Sequence, residues 1–136
     1  GYKAWPAGND TAISIPLAMD AGLGRIGRNG LLINPEYGSC LKICKVFTDM
    51  NLAEDKPLDS PVINNCYHCK LCSEVCEVGA ISKNPKPTWE TQCPSNNPGI
   101  LRWPVNAYKC YQFWLENGSD CSTCIAACPL TPSESG

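Results

Sequence analysis

The chain of 136 residues has a formal net charge of −2 and is rich in cysteine, proline and glycine, with 11, 12 and 11 residues respectively. This length is typical of one domain, and the acidic balance argues against a nucleic-acid partner. No apolar run approaches the ~20 residues of a membrane-spanning helix, and no signal peptide or twin-arginine stretch opens the chain. Because Gly1-Tyr2-Lys3 does not look like a translation start, we expect an N-terminal portion, with any targeting signal, to lie outside this sequence.

The first predicted elements are a loop and a helix. Residues 1–10 are rich in turn-forming residues and predict a loop. The following apolar spacing predicts a helix of about ten residues within 11–22. Asp10 or Thr11 can cap this helix, because a short oxygen side chain accepts hydrogen bonds from the first free amides.

A glycine-rich segment, AGLGRIGRNG, follows this helix and precedes an apolar run at residues 31–33 that predicts a strand. A phosphate-binding loop would place such glycines directly between a strand and a helix. The order here is different, so the glycines are better suited to helix termination and close backbone packing. Arg25 and Arg28 lie in this segment and can meet an anionic group.

Residues 40–50, CLKICKVFTDM, alternate in a way that predicts a strand before a polar loop. Cys40 and Cys44 fall outside the cysteine motifs described below, so we expect them to be buried as small apolar side chains. Lys42 lies between them, and on pattern alone a lone lysine is a solvated charge.

Two cysteine motifs dominate the rest of the chain. The first reads CYHCKLCSEVC over residues 66–76, and the second comprises Cys110 followed by CSTCIAACP over residues 121–129. In bacterial two-cluster ferredoxins three closely spaced cysteines hold one iron–sulfur cluster, and the fourth cysteine of the run belongs to the other cluster. The pattern therefore predicts two 4Fe–4S clusters with crossed ligands. Cluster one takes Cys66, Cys69, Cys72 and Cys128, and cluster two takes Cys76, Cys110, Cys121 and Cys124.

Zinc binding and disulfide formation are the alternatives for a cysteine-rich chain. A tetrahedral zinc site uses paired C-x-x-C units, but a third cysteine at the same spacing fits zinc poorly. A disulfide scaffold is the second alternative, although cysteines spaced this tightly pair badly with one another. We therefore favour iron–sulfur clusters.

The fourth ligand of cluster two has an alternative candidate. Cys93 could replace Cys110, but Cys110 directly precedes the segment that leads into the second motif, and we prefer it. His68 is expected to be solvated, since the cysteines suffice as ligands.

A long connection rich in proline and asparagine joins the motifs over residues 83–107. A loop of this length inside a compact domain is either functional or wraps the surface. We expect Trp89, Trp103 and Trp114 to shield the clusters from water.

Several segments together are similar to one family. They are GNDTAISIPLAMDAGLGRIGRNGLL, the PEYG turn at 35–38, KVFTDM at 45–50, the first cysteine run, and KCYQFWLENGSDCSTCIAACP. These segments, spread over nearly the whole chain, resemble the corrinoid-dependent reductive dehalogenases. The epoxyqueuosine reductases, which share the corrinoid and two-cluster plan, are the alternative, together with a free-standing dicluster ferredoxin.

The resemblance implies an α+β chain in two parts. Residues 1–50 would be the end of a nitroreductase-like, corrinoid-binding α/β domain, and residues 51–136 a bacterial ferredoxin-like domain with two 4Fe–4S clusters. The clusters would pass electrons to a cobalamin-type corrinoid, which removes halide from an organohalide. We expect the present chain alone to be inactive, because most of the corrinoid shell and the proton-donating tyrosine of the family would lie upstream.

The resemblance also implies site residues. Asn9 and Lys42 match positions that line the substrate cavity of the family, where a cation can lower the pKa of the catalytic tyrosine. Arg25 and Arg28 are candidate corrinoid contacts. The implied partners are an organohalide, an electron donor (a quinol chain or a reduced carrier) and a small integral membrane anchor protein, with no nucleic acid. The implied location is the outer face of the bacterial cytoplasmic membrane after twin-arginine export.

Overall fold

Short helices and strands, separated by long irregular segments, make up the fold. The computed structural model describes residues 1–132, apart from the side chains of Val62 and Ile63. The elements in chain order are β1 (Ala4–Ala7), α1 (Ser14–Asp20), β2 (Arg25–Ile26), β3 (Leu32–Ile33), β4 (Lys45–Thr48), α2 (Val62–His68), α3 (Leu71–Glu74), α4 (Ala107–Asn117) and α5 (Thr123–Ala126). In the described part of the chain no helix is long and apolar enough to cross a membrane.

The N-terminal strand β1 pairs antiparallel with β4, with Ala4 opposite Thr48 and Ala7 opposite Lys45. The Lys3 amide extends the ladder by donating to Asp49 Oδ1 at 2.7 Å. The strand predicted over residues 40–50 is therefore confirmed only at 45–48. Residues 40–44 are irregular, because no second strand lies beside them to accept their hydrogen bonds within residues 1–132.

Helix α1 has seven residues, fewer than predicted, and begins at Ser14. Its first amide is accepted by Asn9 Oδ1 at 3.1 Å, so the predicted capping by Asp10 or Thr11 was wrong. Pro16 occupies the first turn, where a missing amide costs no helical hydrogen bond.

The glycine-rich segment forms a tight hairpin. Strands β2 and β3 pair antiparallel, and the Gly27 amide donates to Leu31 O at 2.9 Å to close the turn. A Cβ on Gly24 or Gly27 would collide with Ile33. The segment is thus a close-packed hairpin, as the order of elements indicated, and lacks the strand–loop–helix order of a phosphate-binding loop.

A small core joins this hairpin to the cysteine motifs. Ile33, Cys66 and Trp103 are buried together, and Cys128 and Leu130 pack against them. Trp103 is fully buried, with its indole N–H donating to Asn84 O at 2.9 Å, as expected of a shielding aromatic. Trp89 and Trp114 are 63% and 37% exposed, so the prediction that they shield the cysteines was wrong.

The PEYG turn locks the hairpin region onto the chain that follows Cys128. Gly38 has a φ of +59°, and a Cβ there would meet the backbone of Leu130 and Thr131. We expect Gly38→Ala to lower the free energy of unfolding by about 2–4 kcal/mol, because it adds a backbone collision to the cost of a left-handed alanine. Urea unfolding measures the change.

Gly99 supplies the matched control for this substitution. It also has positive φ (+79°), but a Cβ there would meet no atom within 4 Å. Gly99→Ala should cost only the backbone strain, about 1–2 kcal/mol. Equal losses in the two variants would show that the contact between Gly38 and residues 130–131 does not hold the fold together.

Candidate metal centres

The first cysteine motif spans two short helices and surrounds one cavity. Cys66 lies in α2, Cys69 is the residue that ends it, and Cys72 lies in α3. The Cys69 amide donates to Asn65 O at 2.7 Å and closes the end of α2. Because the chain turns tightly between the two helices, these three thiols face one cavity while the chain carries Cys76 onward.

That cavity is lined by four cysteines, Cys66, Cys69, Cys72 and Cys128. The first three come from the first motif, and Cys128 comes from the far end of the second. The geometry therefore brings together the four residues predicted for cluster one.

A second cavity is lined by Cys76, Cys110, Cys121 and Cys124. Here the exchange is reversed. Cys76 is the last cysteine of the first motif, and the other three cysteines belong to the second motif. The Ala80 amide donates to Cys76 Sγ at 3.2 Å and orients that sulfur. These are the four residues predicted for cluster two.

The position of Cys110 follows from a β-bridge between Ile81 and Val105. The bridge brings the end of the long connection back beside the exit of the first motif, and the Asn106 amide donates to Ala80 O at 2.8 Å. Asn106 then caps α4 by accepting from the Lys109 amide at 3.1 Å. As a result α4 starts next to Cys76 and carries Cys110 towards the second cavity.

Burial and mutual repulsion disfavour free thiolates in both cavities. Burial, with a contribution from neighbouring thiols, raises the pKa of Cys72 to about 12. The same causes raise the pKa of Cys66, Cys110 and Cys124. Neighbouring thiols that would repel one another as anions are better able to bind as thiolates when a positively charged group lies among them.

The two cavities adjoin. Helix α3, which carries Cys72, packs against α5, which carries Cys124. Cys124 is among the charges that raise the pKa of Cys72, although the two thiols line different cavities. Groups held in the two cavities would be neighbours.

Arg28 is buried beside the first cavity at 1% exposure. Its guanidinium donates to Cys66 O at 2.7 Å and Cys69 O at 3.1 Å, and to Ser82 O and Asn84 O at 3.0 and 2.7 Å. It also stacks over Trp103, 4.5 Å from the ring centroid. A guanidinium enclosed in this way holds the first cysteine motif in place; its assignment as a corrinoid contact stays a prediction.

The other residues predicted from the family lie far along the chain from the eight cysteines that line the cavities. Asn9 is exposed and contacts Ser14, and the Lys45 ammonium donates to Ser14 Oγ at 2.6 Å and to Asn9 Oδ1 at 3.5 Å. Lys42 is exposed on the irregular segment before β4. Sequence reasoning missed Lys45, although the pairing of Lys45 with Ala7 in the sheet brings it close to Asn9. Arg25 is half-buried and lines a separate polar cavity.

Three cysteines lie outside both cavity linings. Cys40 and Cys44 are exposed, which contradicts the prediction that they are buried; the irregular backbone of residues 40–44 leaves their thiols facing solvent. Cys93, the rival of Cys110, is half-buried with its sulfur 2.9 Å from the Ser95 hydroxyl. His68 is exposed at the end of α2.

The separation of these three cysteines from the eight that line the cavities predicts a labelling pattern. In the cluster-loaded protein iodoacetamide should modify Cys40, Cys44 and Cys93 and leave the eight cavity cysteines unmodified, as peptide mass spectrometry would show. The Ser95 hydrogen bond lowers the pKa of Cys93. Its alkylation should therefore persist below the pH at which an ordinary thiol stops reacting, and Ser95→Ala should move that dependence to higher pH. Protection of Cys93 together with labelling of Cys110 would contradict the arrangement.

The donor set fits iron–sulfur clusters. Across residues 1–132, no three His, Cys, Asp or Glu side chains are arranged to hold a single metal ion. The thiols instead line two cavities in sets of four, and four cysteine thiolates are the ligand set of a 4Fe–4S cluster. A buried side-chain amide without a partner, Asn29 Nδ2, lies in the wall of both cavities and offers a donor to sulfur.

The fold and site define a small domain of mixed helices and strands with two cysteine-lined cavities. No family model matches the chain. The chain is 48% identical over 131 residues to a tetrachloroethene reductive dehalogenase of Desulfitobacterium hafniense, covering 94% of this chain and 24% of that protein. A second relative, the tetrachloroethene reductive dehalogenase of Sulfurospirillum multivorans, is 40% identical over 96% of this chain and 26% of its own length.

Solved structures give the same result as the sequence relatives. The chain superposes on the catabolic reductive dehalogenase NpRdhA, in complex with 3-bromo-4-hydroxybenzoic acid, with a TM-score of 0.82 and 27% identity, covering 98% of this chain and 19% of that one. An epoxyqueuosine reductase from Bacillus subtilis gives a TM-score of 0.65 at 21% identity over 98% of this chain and 33% of that chain, a likeness of fold alone. The homologues of this chain are reductive dehalogenases, and the chain matches one part of them. It spans about a quarter of the length of the curated relatives it matches.

Proposed function

We propose that this chain holds two 4Fe–4S clusters and relays electrons within a reductive dehalogenase. One observation carries the proposal: the two cavities are each lined by four cysteines, and the fourth member of each set comes from the other motif. That exchange is the ligand pattern of two-cluster ferredoxins. A disulfide scaffold or a pair of local zinc sites would have no reason to exchange Cys76 and Cys128.

The residues of this chain bind and insulate the clusters. The eight thiolates hold them, and when bound the clusters supply one-electron transfer. Arg28 fixes the first motif and places a cation beside the thiols of Cys66 and Cys69. Trp103 is fully buried and keeps water from that side. The contact between α3 and α5 keeps the two sites adjacent, which favours electron transfer between them.

We further propose that the chain has the two parts implied by the family: residues 1–50 as the end of a nitroreductase-like, corrinoid-binding domain and residues 51–136 as a ferredoxin-like domain. The hairpin of β2 and β3 falls within the first range and supplies Arg28 and Asn29 to the cavity walls of the second. The two parts are therefore expected to fold as one unit at this junction.

The activity we propose for the whole enzyme is reductive removal of halide from an organohalide. The relatives are named for tetrachloroethene, and NpRdhA was solved with a brominated hydroxybenzoic acid. A cobalamin-type corrinoid would supply the reduced cobalt for this chemistry in the complete protein. By analogy with the family, the electron donor would be a quinol chain or reduced carrier, and a small integral protein would anchor the enzyme at the outer face of the cytoplasmic membrane.

Halide release tests this activity. The full-length gene product, purified anaerobically with its corrinoid, should release chloride from tetrachloroethene or bromide from 3-bromo-4-hydroxybenzoate when given a low-potential reductant. Variants that lose a cluster should lose turnover with physiological electron donors. A full-length protein that carries both clusters and no corrinoid, and that releases no halide, would contradict the proposal and leave an electron carrier.

A further inference from the structure

Asn29 lies at the turn of the hairpin between β2 and β3, in the wall that separates the two cavities. It is 7% exposed and lines both the cavity of Cys66, Cys69, Cys72 and Cys128 and that of Cys76, Cys110, Cys121 and Cys124. Its side chain is neutral and too short to reach solvent. The role of the Asn29 side chain therefore depends on the groups that it contacts in the protein interior.

The orientation of the Asn29 amide is determined by its own turn. Its Oδ1 accepts from the Leu31 amide at 3.2 Å, so the atom facing that donor must be oxygen and the NH₂ must point the other way. A Cβ on Gly27 would lie only 3.0 Å from this oxygen, so the glycine leaves room for it. The turn fixes the oxygen end of the side chain, and the opposite, donor end belongs to a residue that lines both cavities.

That donor has no partner. Among residues 1–132, Asn29 Nδ2 is the buried side-chain nitrogen or oxygen atom without a hydrogen bond. Buried amide donors are almost always satisfied, and an exception calls for an acceptor that the protein chain itself does not supply. The groups expected beside this atom are anionic sulfurs.

We propose that Asn29 Nδ2 donates an N–H···S hydrogen bond to a cluster sulfur in this shared wall and thereby raises the reduction potential of that cluster. The inference rests on the proposed two-cluster function. Reduction adds one negative charge to a cluster, so a donor stabilises the reduced form more than the oxidised form. Because the amide lies in the wall common to both sites, it can change the difference between the reduction potentials of the two clusters.

Asn29→Ser is the decisive variant. Its hydroxyl can still accept from the Leu31 amide, as serine does in such turns, but it has no amide to reach the cavities. In the full-length protein, EPR-monitored redox titration should show at least one cluster whose reduction constant has fallen about tenfold, or 59 mV for one electron. Iron content should stay at about eight per chain.

Asn96→Ser is the matched control. Asn96 is also buried, but its amide donates to Val105 O at 2.7 Å, its oxygen accepts from the Gln92 amide, and it lines neither cavity. This variant should lower stability and leave both potentials unchanged. Unaltered potentials in an iron-replete Asn29→Ser protein would overturn the inference, as would an equal shift in Asn96→Ser.

A direct spectroscopic test remains if Asn29→Ser does not retain iron. Protein labelled with ¹⁵N in the asparagine side chains, and carrying Asn65→Ser because Asn65 also lines the first cavity, should show a ¹⁵N coupling to a reduced cluster in pulsed EPR. Absence of that coupling would overturn the inference. Absence of iron from the unsubstituted protein would instead overturn the proposed function, so the two failures are distinguishable.

Discussion

Replacing Cys76 and Cys121 together by alanine should remove one cluster and leave the other intact. The two residues lie in different sequence motifs but line the same cavity. If ligation follows the cavities, the double variant retains about four of eight irons and one 4Fe–4S signal. Iron and sulfide analysis with EPR of the reduced protein measures both.

The contrasting pair is Cys72 and Cys76, which belong to one motif and line different cavities. Replacing both by alanine should damage both clusters, although only one sequence motif is altered. If each motif held its own metal, the outcomes would be reversed, with the first double variant losing both sites and the second losing one. That reversal would refute the crossed arrangement.

Arg28→Met should produce the largest loss of stability from a single non-cysteine substitution. The guanidinium satisfies the carbonyl oxygens of Cys66, Cys69, Ser82 and Asn84, all in or just after the first cysteine motif. Methionine fills similar volume but leaves buried acceptors without donors, at about 1–3 kcal/mol each. We expect a total loss of about 4 kcal/mol or more, measured by urea unfolding, and preferential loss of iron from cluster one.

Arg25→Met provides the comparison within the same hairpin. Arg25 is only half-buried, so its replacement should change stability by about 0.5 kcal/mol or less. Arg28→Lys separates charge from geometry, because a lysine keeps the cation and cannot span several carbonyls as the planar guanidinium does. Full retention of stability and iron in Arg28→Met would show that the first motif does not depend on this residue.

The cysteine arrangement was predictable from sequence because its spacing is local. Three ligands with two residues between neighbours can only curl round one small site, and the exchange of Cys76 and Cys128 follows from the ferredoxin pattern. Cys110 was harder, since its position depends on the bridge between Ile81 and Val105 across a long connection. Spacing alone left Cys93 as an alternative.

Other features depend on tertiary contacts that no local pattern contains. From the sequence Arg28 looked like an anion-binding residue. Its hydrogen-bond acceptors could not be recognised, because they lie 38 or more positions downstream and only the folded hairpin brings them together. The exposure of Cys40 and Cys44 was missed because the alternating pattern extends beyond the four residues that find a strand partner. Asn29 carried no sequence signal, since an asparagine in a glycine-rich turn is ordinary.

Every role proposed for this chain depends on two 4Fe–4S clusters held in the two cysteine-lined cavities. The most direct measurement is the iron, zinc and acid-labile sulfide content of the anaerobically reconstituted protein, with EPR after reduction. We predict about eight irons and eight sulfides per chain, and an EPR spectrum in which two adjacent reduced clusters interact. Stoichiometric zinc without sulfide, or a single cluster with about four irons, would contradict this claim.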